Sequence, residues 1–436
     1  MPGKQAPAHE VNMSSLLITL KVVYAILGSI TMGVLIYQVI MALLSGRRNK
    51  QPVQPCDRYN RFALVISARN ESAVIGQLLD SLMAQRYPKE YFDVYVIADN
   101  CTDNTAQVAR EHGALVYERE NLKQCGKGYA LNWMFDIIQR EKPEGYYDAY
   151  GVFDADNLVH KDYLMAMNHQ LLNGAAVSEG YRDIKNPSDS WVSGAYAIYF
   201  WCISRFFMRP RHRLGMSGLV SGTGFVFRAE LIAERGWVTE TITEDCEFSL
   251  MQILEGHKVT FADDAVFYDE QPVTFRQANR QRYRWAVGSL QCLKLFFGKL
   301  FRGCFAQKSF IMLDMVIYLM SIPCSAIVAI NTCLGAAIRY MGQAHWYEIV
   351  QMELVSLLIT VACMFLHGIL TVKLEGKSLR TVYKGVLGWP LFLLSWVYIS
   401  LFAIFYRNTT WKPIHHTSTV SIDAIKEEGE NLTGEL

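Results

Sequence analysis

Phe92-Asp93-Val94-Tyr95-Val96-Ile97-Ala98 runs straight into Asp99-Asn100-Cys101-Thr102-Asp103. The apolar part reads as a short strand, and the polar cluster as a capped turn into a helix from about Thr105 to His112. The same alternation repeats on both sides. Phe62 to Ser67 reads as a strand and Ala73 to Gln85 as an amphipathic helix. A short strand near Leu115, a helix after Gly126-Lys127-Gly128 and the strand into Asp154 complete the series. Strands alternating with helices predict an α/β fold, a mainly parallel sheet with helices on both faces. Ligands of such sheets bind at the carboxyl ends of the strands. Arg69, Asp99 and Asp154 stand at or just beyond those ends.

The chain has 436 residues, 51% of them hydrophobic, and a formal net charge of +1. Near-neutrality argues against a general nucleic-acid binder. The ten cysteines are scattered, with no CxxC pair and no Cys/His cluster at metal spacing, which argues against zinc. The length would hold two ordinary soluble domains, but the apolar residues are unevenly spread. Residues 14–44, 310–337 (with Pro323 inside), 350–372 and 382–406 are apolar runs, each long enough to cross a bilayer. Arg47, Arg48 and Lys50 come directly after the first run and only Lys4 precedes it, so the positive-inside bias places the segment beyond that run in the cytosol. Lys373, Lys377, Arg380 and Lys384 place the loop between the last two runs there as well.

The expected order is therefore a tail (1–13), an anchor, a Pro-containing linker (45–61) and a sheet domain (62–274). A basic-aromatic helix at the membrane interface (275–301) and the three further runs come next. The polar tail 407–436 falls outside by this count, or in the cytosol if the last run is re-entrant. Within the sheet domain, 191–213 joins an aromatic helix to Arg205, Arg209, Arg211 and Arg213. It reads either as a helix at the membrane interface or as a buried core helix. The whole describes a multi-pass integral protein, expected in the plasma membrane among its lipids.

Several short motifs carry chemistry. Asp154-Ala155-Asp156, just past a strand, suits a divalent cation, Mg²⁺ or Mn²⁺, held by oxygen ligands and bridged to phosphate. Carboxylates also end strands and cap helices as a matter of course. Asp99 at the sheet edge would accept the imide N–H of uracil, or serves only a capped turn, and Lys127 between two glycines would meet phosphate, or marks a plain helix entry. Thr243-Glu244-Asp245 reads as an N-cap with first-turn acids, or as the general base for a sugar hydroxyl. Ser221-Gly222-Thr223-Gly224 would let backbone approach a ligand closely, or is an ordinary loop. Gln281, Arg284 and Trp285 at i, i+3 and i+4 share one helix face. That face offers an amide, a guanidinium fork for phosphate and a flat ring for a sugar. The alternative is Trp285 as an interface anchor.

In order, Ser67-Ala68-Arg69-Asn70-Glu71, Asp99, Lys127-Gly128-Tyr129-Ala130-Leu131-Asn132, Asp154-Ala155-Asp156, Thr243-Glu244-Asp245 and Gln281-Arg282-Tyr283-Arg284-Trp285 resemble the membrane-embedded family 2 glycosyltransferases. That group includes the cellulose, chitin, hyaluronan and poly-N-acetylglucosamine synthases. The resemblance covers roughly Phe62 to Gly288 and extends to the flanking apolar runs. It implies a GT-A fold, Rossmann-like, and inverting, metal-dependent transfer from a UDP-sugar donor. It places the donor nucleotide on Arg69, Glu71, Asp99, Lys127 and Asp154, and the metal on Asp156 with Asp154. The base role falls on Asp245, beside Thr243 and Glu244. Gln281, Arg284 and Trp285, with Ser221, Gly222 and Thr223, face acceptor and pyrophosphate. Ala68-Arg69 stands where many members have a proline-led loop, and one N-terminal span stands where several synthases have two. The acceptor is expected to be a growing polysaccharide. The alternative is a lipid such as diacylglycerol, ceramide or a polyprenyl phosphate.

Overall fold

The structure, a computed structural model, describes residues 8–46 and 53–406. The basic cluster Arg47, Arg48 and Lys50, and the tail from 407 with its Trp411-Lys412-Pro413 and His415-His416, lie outside the described residues. Strands β1 (Phe62–Ala68), β2 (Phe92–Asp99), β3 (Leu115–Arg119), β4 (Ala149–Asp154), β5 (Leu158–Val159), β6 (Val177–Ile184), β7 (Phe225–Arg228) and β8 (Val259–Asp269) form one sheet. Its order is β3-β2-β1-β4-β7-β6-β8-β5. The first four run parallel, as does β6 with β8, while β7 is antiparallel to both β4 and β6 and β5 is antiparallel to β8.

The parallel half arises from period-two alternation between two apolar cores. Phe62, Leu64 and Ile66 of β1, and Val94 and Val96 of β2, face one core. Ala63, Val65, Tyr95 and Ile97 face the other. Leu64 is fully buried, so truncating it to alanine costs about 2–5 kcal/mol. Register then aligns the strand ends: Ser67 stands opposite both Ile97 and Asp154. The residues just past Ala68, Asp99 and Asp154 therefore open onto one edge.

Helices α1 (Ala8–Leu43), α2 (Ile75–Met83), α3 (Thr105–Glu111), α4 (Lys127–Glu141), α5 (Tyr163–Leu172), α6 (Trp191–Cys202), α7 (Arg209–Arg213) and α8 (Glu244–Leu254) precede a helical half. That half is α9 (Phe275–Ala306), α10 (Phe310–Leu319), α11 (Ser321–Met341), α12 (Trp346–Leu374) and α13 (Leu379–Phe405). Ser15–Leu43, α11, α12 and α13 are long and apolar enough to cross a membrane. The run 310–337 is divided between α10 and α11 at Met320. Pro323 has no N–H for the Leu319 carbonyl, so the chain starts a new helix there.

Most of the 191–213 segment packs into protein, while His212 and Arg213 at its end are exposed. Helix α6 starts at Ser190, whose hydroxyl accepts from the backbone N–H groups of Val192 and Ser193 at 3.2 and 3.1 Å. It packs so closely on α13 that a Cβ on Gly385 would lie 2.2 Å from the Gly194 backbone. Three of the arginines beyond it, Arg205, Arg209 and Arg211, meet carboxylates. Arg205 and Arg209 bond Glu375 at 3.0 and 2.8 Å, Arg209 also bonds Asp263 at 2.8 Å, and Arg211 holds Asp314 at 2.7 Å. The Tyr37 hydroxyl of α1 donates to Asp314 at 2.6 Å. These buried pairs tie the sheet domain to α1, α10 and the α12–α13 loop. Helix α13 then continues along α9: the fully buried Arg282 donates to the Phe392 carbonyl at 2.8 Å, and the Tyr283 hydroxyl donates to the carbonyl of Tyr406.

Candidate active site

At the end of β2, buried Asp99 accepts from the Arg119 guanidinium at 2.6 Å and the Asn100 amide at 2.9 Å. Arg119 is its register partner on β3. Next to it lies the β1–α2 loop carrying Arg69 and Glu71, both half-buried. The loop is held by Asn70, in the left-handed region (φ 57°), whose side-chain oxygen accepts from the Thr102 N–H at 2.7 Å. The Glu71 N–H donates to the Thr105 hydroxyl at 2.9 Å. Arg69, Glu71 and Asp99 thus share one corner of the sheet edge.

The second corner joins motifs far apart in the chain. Lys127, at the first turn of α4, donates to the Asp154 carboxylate and to the Gly222 carbonyl, the latter at 2.7 Å. The Asp154 N–H donates to the Thr223 hydroxyl at 2.8 Å. Gly222 adopts φ 88°, and a Cβ there would stand 3.4 Å from Asp245 Oδ2. Contacts therefore run from Asp154 through Lys127 and Gly222 to Asp245. Glu244 lies beside them, 3.4 Å (Cβ) from where a Cβ on Gly128 would be. Asp156 is buried next to Asn157, whose amide donates to Asp269 at 2.9 Å.

Thr243-Glu244-Asp245 is docked on α9. The Ile242 N–H donates to the Gln291 side chain at 3.0 Å, and Thr243 packs directly on Gly288. Burial first, then the neighbouring Asp245, push the Glu244 carboxyl up to about 7. Burial also lifts Asp245 above the ordinary aspartate value, with the Cys246 N–H, Lys127, Arg182 and Arg284 pulling the other way. Arg284 reaches this place from α9, one turn beyond Gln281. Gln281 Oε1 and Arg284 Nε are buried atoms without a hydrogen-bond partner. Buried polar atoms in that state call for a ligand or water. The Trp285 ring is half-buried among aromatic residues of α6, stacked on Tyr199 at 6.3 Å and edge-on to Tyr196 at 6.1 Å.

The structure adds groups that the motifs did not reveal. Glu179 on β6 is buried and accepts from the Ser221 hydroxyl. Arg182 donates to the Ser221 hydroxyl at 3.0 Å and to Asp269 at 3.1 Å. Burial, opposed mainly by Arg182 and Ser221, holds the Glu179 carboxyl at about 8. With Thr223 bonded to Asn157, these residues buttress the loop 221–224 from behind.

A family model described as glycosyltransferase like family 2 matches residues 60–288, more than half of the chain and all of the motifs above. The chain belongs to this family. Its sheet, with helices on both faces, is the GT-A fold. The beta-monoglucosyldiacylglycerol synthase of Nostoc sp. is 31% identical over 243 residues, covering 52% of this chain and 49% of that protein. The poly-beta-1,6-N-acetyl-D-glucosamine synthase of Staphylococcus aureus is 27% identical over 256 residues, covering 56% and 58%. The chain spans about half the length of these curated relatives. A mannosyltransferase from Pyrobaculum calidifontis, solved with GDP-Man and Mn²⁺, superposes with a TM-score of 0.59 at 17% identity, over 89% of this chain and 100% of that one. At that identity the likeness is one of fold.

Proposed function

We propose that the chain is an inverting glycosyltransferase that moves a sugar from a UDP-sugar to a hydroxyl held at a membrane surface. The contact path from Asp154 through Lys127 and Gly222 to Asp245 carries this reading, because it sets a phosphate-binding cation between a strand-end carboxylate and a base. Asp99, oriented by Arg119, would accept from the uracil imide, with Arg69 and Glu71 beside the nucleotide. Lys127, Arg284 and Gln281 would face the diphosphate and the sugar. Trp285, stacked on Tyr199, would form the acceptor's aromatic floor, closed by Ser221, Gly222 and Thr223.

Asp245 takes the proton of the acceptor hydroxyl while that oxygen bonds to the anomeric carbon. The bond from that carbon to the diphosphate oxygen breaks and UDP departs. Attack opposite the leaving group inverts the configuration. The raised basicity of Asp245 favours its role as proton acceptor. Asp154 and Asp156 are the donor set for Mg²⁺ or Mn²⁺, ions held by one or two carboxylates plus substrate phosphate. Asp154 is half-buried at the end of β4 and Asp156 buried just beyond it, two carboxylates of the kind such an ion takes alongside phosphate. Bound there, it would neutralise charge on the leaving diphosphate.

The relatives include both a polysaccharide synthase and a glycolipid synthase. A growing polysaccharide is therefore kept as the first acceptor and a lipid as the second. Lys377, bonded to Asp183, and Lys384, bonded to the Ser188 carbonyl at 3.2 Å, support placing the α12–α13 loop with the sheet domain on the cytosolic side. The bond from the Tyr283 hydroxyl to the Tyr406 carbonyl keeps the end of α13 against α9.

Membranes bearing the chain, given a panel of labelled UDP-sugars, test this reading. Label on a lipid-extractable species with one or a few sugars supports the glycolipid. Label on a high-mass glycan supports the polysaccharide, and no UDP release from any donor contradicts both.

A further inference from the structure

From Gln271 to Leu313 the chain contains no aspartate or glutamate, and within that stretch α9 has two halves of different kind. The first carries Gln281, Arg284 and Trp285 and packs on the sheet domain and α13. The second, from Leu293 on, turns one face to protein and leaves another open. Cys292, Phe296 and Leu300, at i, i+4 and i+8, are buried with side chains of α8 and α10. Phe297, Phe301 and Phe305 repeat that spacing on the open face and are 39%, 44% and 69% exposed. Their rings follow one another at 5.8 and 5.2 Å, and Phe310 at the start of α10 adds a fourth exposed ring.

Four cations accompany these rings. Lys294, Lys299, Arg302 and Lys308 are all exposed. Lys294 is three residues before Phe297 and shares its face, and Arg302, next to Phe301, flanks it. The nearest acids in the sequence are already committed: Glu270 pairs with Lys185 at 3.4 Å and Asp314 with Arg211 at 2.7 Å. Among the described residues none of the four cations is ion-paired. Arg302 Nε donates to the Gly298 carbonyl of its own helix at 3.0 Å, and the Lys299 ammonium lies over the Phe296 ring at 5.3 Å.

Helix α1 gives the level of this surface. Phe310 meets the Tyr37 ring edge-on at 6.4 Å. Tyr37 stands six residues, about 9 Å along the axis, before the end of α1 at Leu43. That is the end which the basic residues following it assign to the cytosolic side. Open phenylalanines at that level, accompanied by cations, are the pattern of a helix lying in the surface of a bilayer. The lysine and arginine stems run along the apolar layer while their heads reach the phosphates. The charges decide the class of lipid. A zwitterionic headgroup balances its own phosphate and leaves four positive charges unmatched, whereas a headgroup of net negative charge matches them.

We infer that the outer half of α9, from Lys294 to Lys308, is a docking surface for anionic phospholipids of the cytosolic leaflet. The inference rests on the reading that places α1 and α11 to α13 in a bilayer, and it is independent of the sugar chemistry.

The test is the lipid selectivity of the full chain in phosphatidylcholine bilayers, read by electron spin resonance of spin-labelled phosphatidylglycerol and phosphatidylcholine. Both labels should show a population slowed by contact with the protein, and phosphatidylglycerol should be favoured about threefold or more at low salt. The preference should shrink in molar salt, which screens exposed charges. Lys294→Gln, Lys299→Gln, Arg302→Gln and Lys308→Gln together, with an unchanged melting temperature, should remove roughly half of it or more. Lys294→Gln with Arg302→Gln should move it in the same direction. Equal association of the two lipids, or a preference that survives the fourfold replacement intact, would overturn the inference. No slowed population for either label would overturn the bilayer reading along with it.

Discussion

Thr243 rests on Gly288 of α9 so closely that a Cβ at position 288 would fall 2.3 Å from Thr243 Cγ2. Gly288 lies one turn past Arg284 on the same helix, so the loop with the acidic pair and the helix with the guanidinium are set against each other by this contact. Gly288→Ala should force Thr243 away and shift Asp245 with it. A displacement of about 1 Å at a reacting group costs roughly 10²-fold in rate. We expect kcat to fall on that scale while UDP binding by calorimetry stays within a few-fold of normal.

Glu375 accepts hydrogen bonds from Arg205, Arg209 and Tyr181 with its side chain fully buried. Glu375→Ala would leave two guanidinium groups without that partner in the interior. Breaking a buried pair from one side costs about 3–5 kcal/mol. The melting temperature of the detergent-solubilised chain should drop sharply. Equal melting temperatures would show that these pairs do not fasten the sheet domain to the helices.

Glu179 gives a pH dependence of definite sign. Its carboxyl is raised from 4.5 to about 8 in the fold, surrounded by Arg182, Ser221, Tyr163 and Asp245. Between those values the folded chain keeps a proton that the unfolded chain has released. The stability contributed is full below about 4.5 and is lost as pH rises through about 8. Glu179→Gln should flatten this decline and be the more stable form at pH above 8. Parallel melting-versus-pH curves for the two proteins would contradict the assignment.

The sequence made the parallel half of the sheet legible because its strands are apolar and end on turn residues. Asp99 and Asp154 were placed correctly at strand ends for that reason. Strand β6 was not legible, since Ser178, Glu179, Arg182 and Asp183 look like a solvated segment and are buried by β7, β8 and the helices packed over them, as where Asp183 bonds Trp201. Arg119 gains its meaning from register with Asp99, twenty residues earlier. Arg205, Arg209 and Arg211 come after an aromatic run, a pattern shared by membrane-surface helices and by buried ones. Their partners Glu375 and Asp314 lie more than a hundred residues away, where no local pattern reaches.

Metal dependence is expected from the Asp154/Asp156 donor set. Stripping divalent cations with a chelator should abolish UDP release, and Mn²⁺ or Mg²⁺ should restore it. Asp156→Ala should lose that restoration. Full turnover in chelator would remove the metal from the reaction.

The convergence of Asp154, Lys127, Gly222 and Asp245 on one place is tested most directly by UDP affinity and sugar transfer measured side by side in Asp245→Asn. We expect UDP bound as tightly as in the unaltered chain and transfer reduced by at least roughly 10²-fold, the scale of general-base loss. Retained transfer, or loss of UDP binding in step with transfer, would contradict Asp245 as the base.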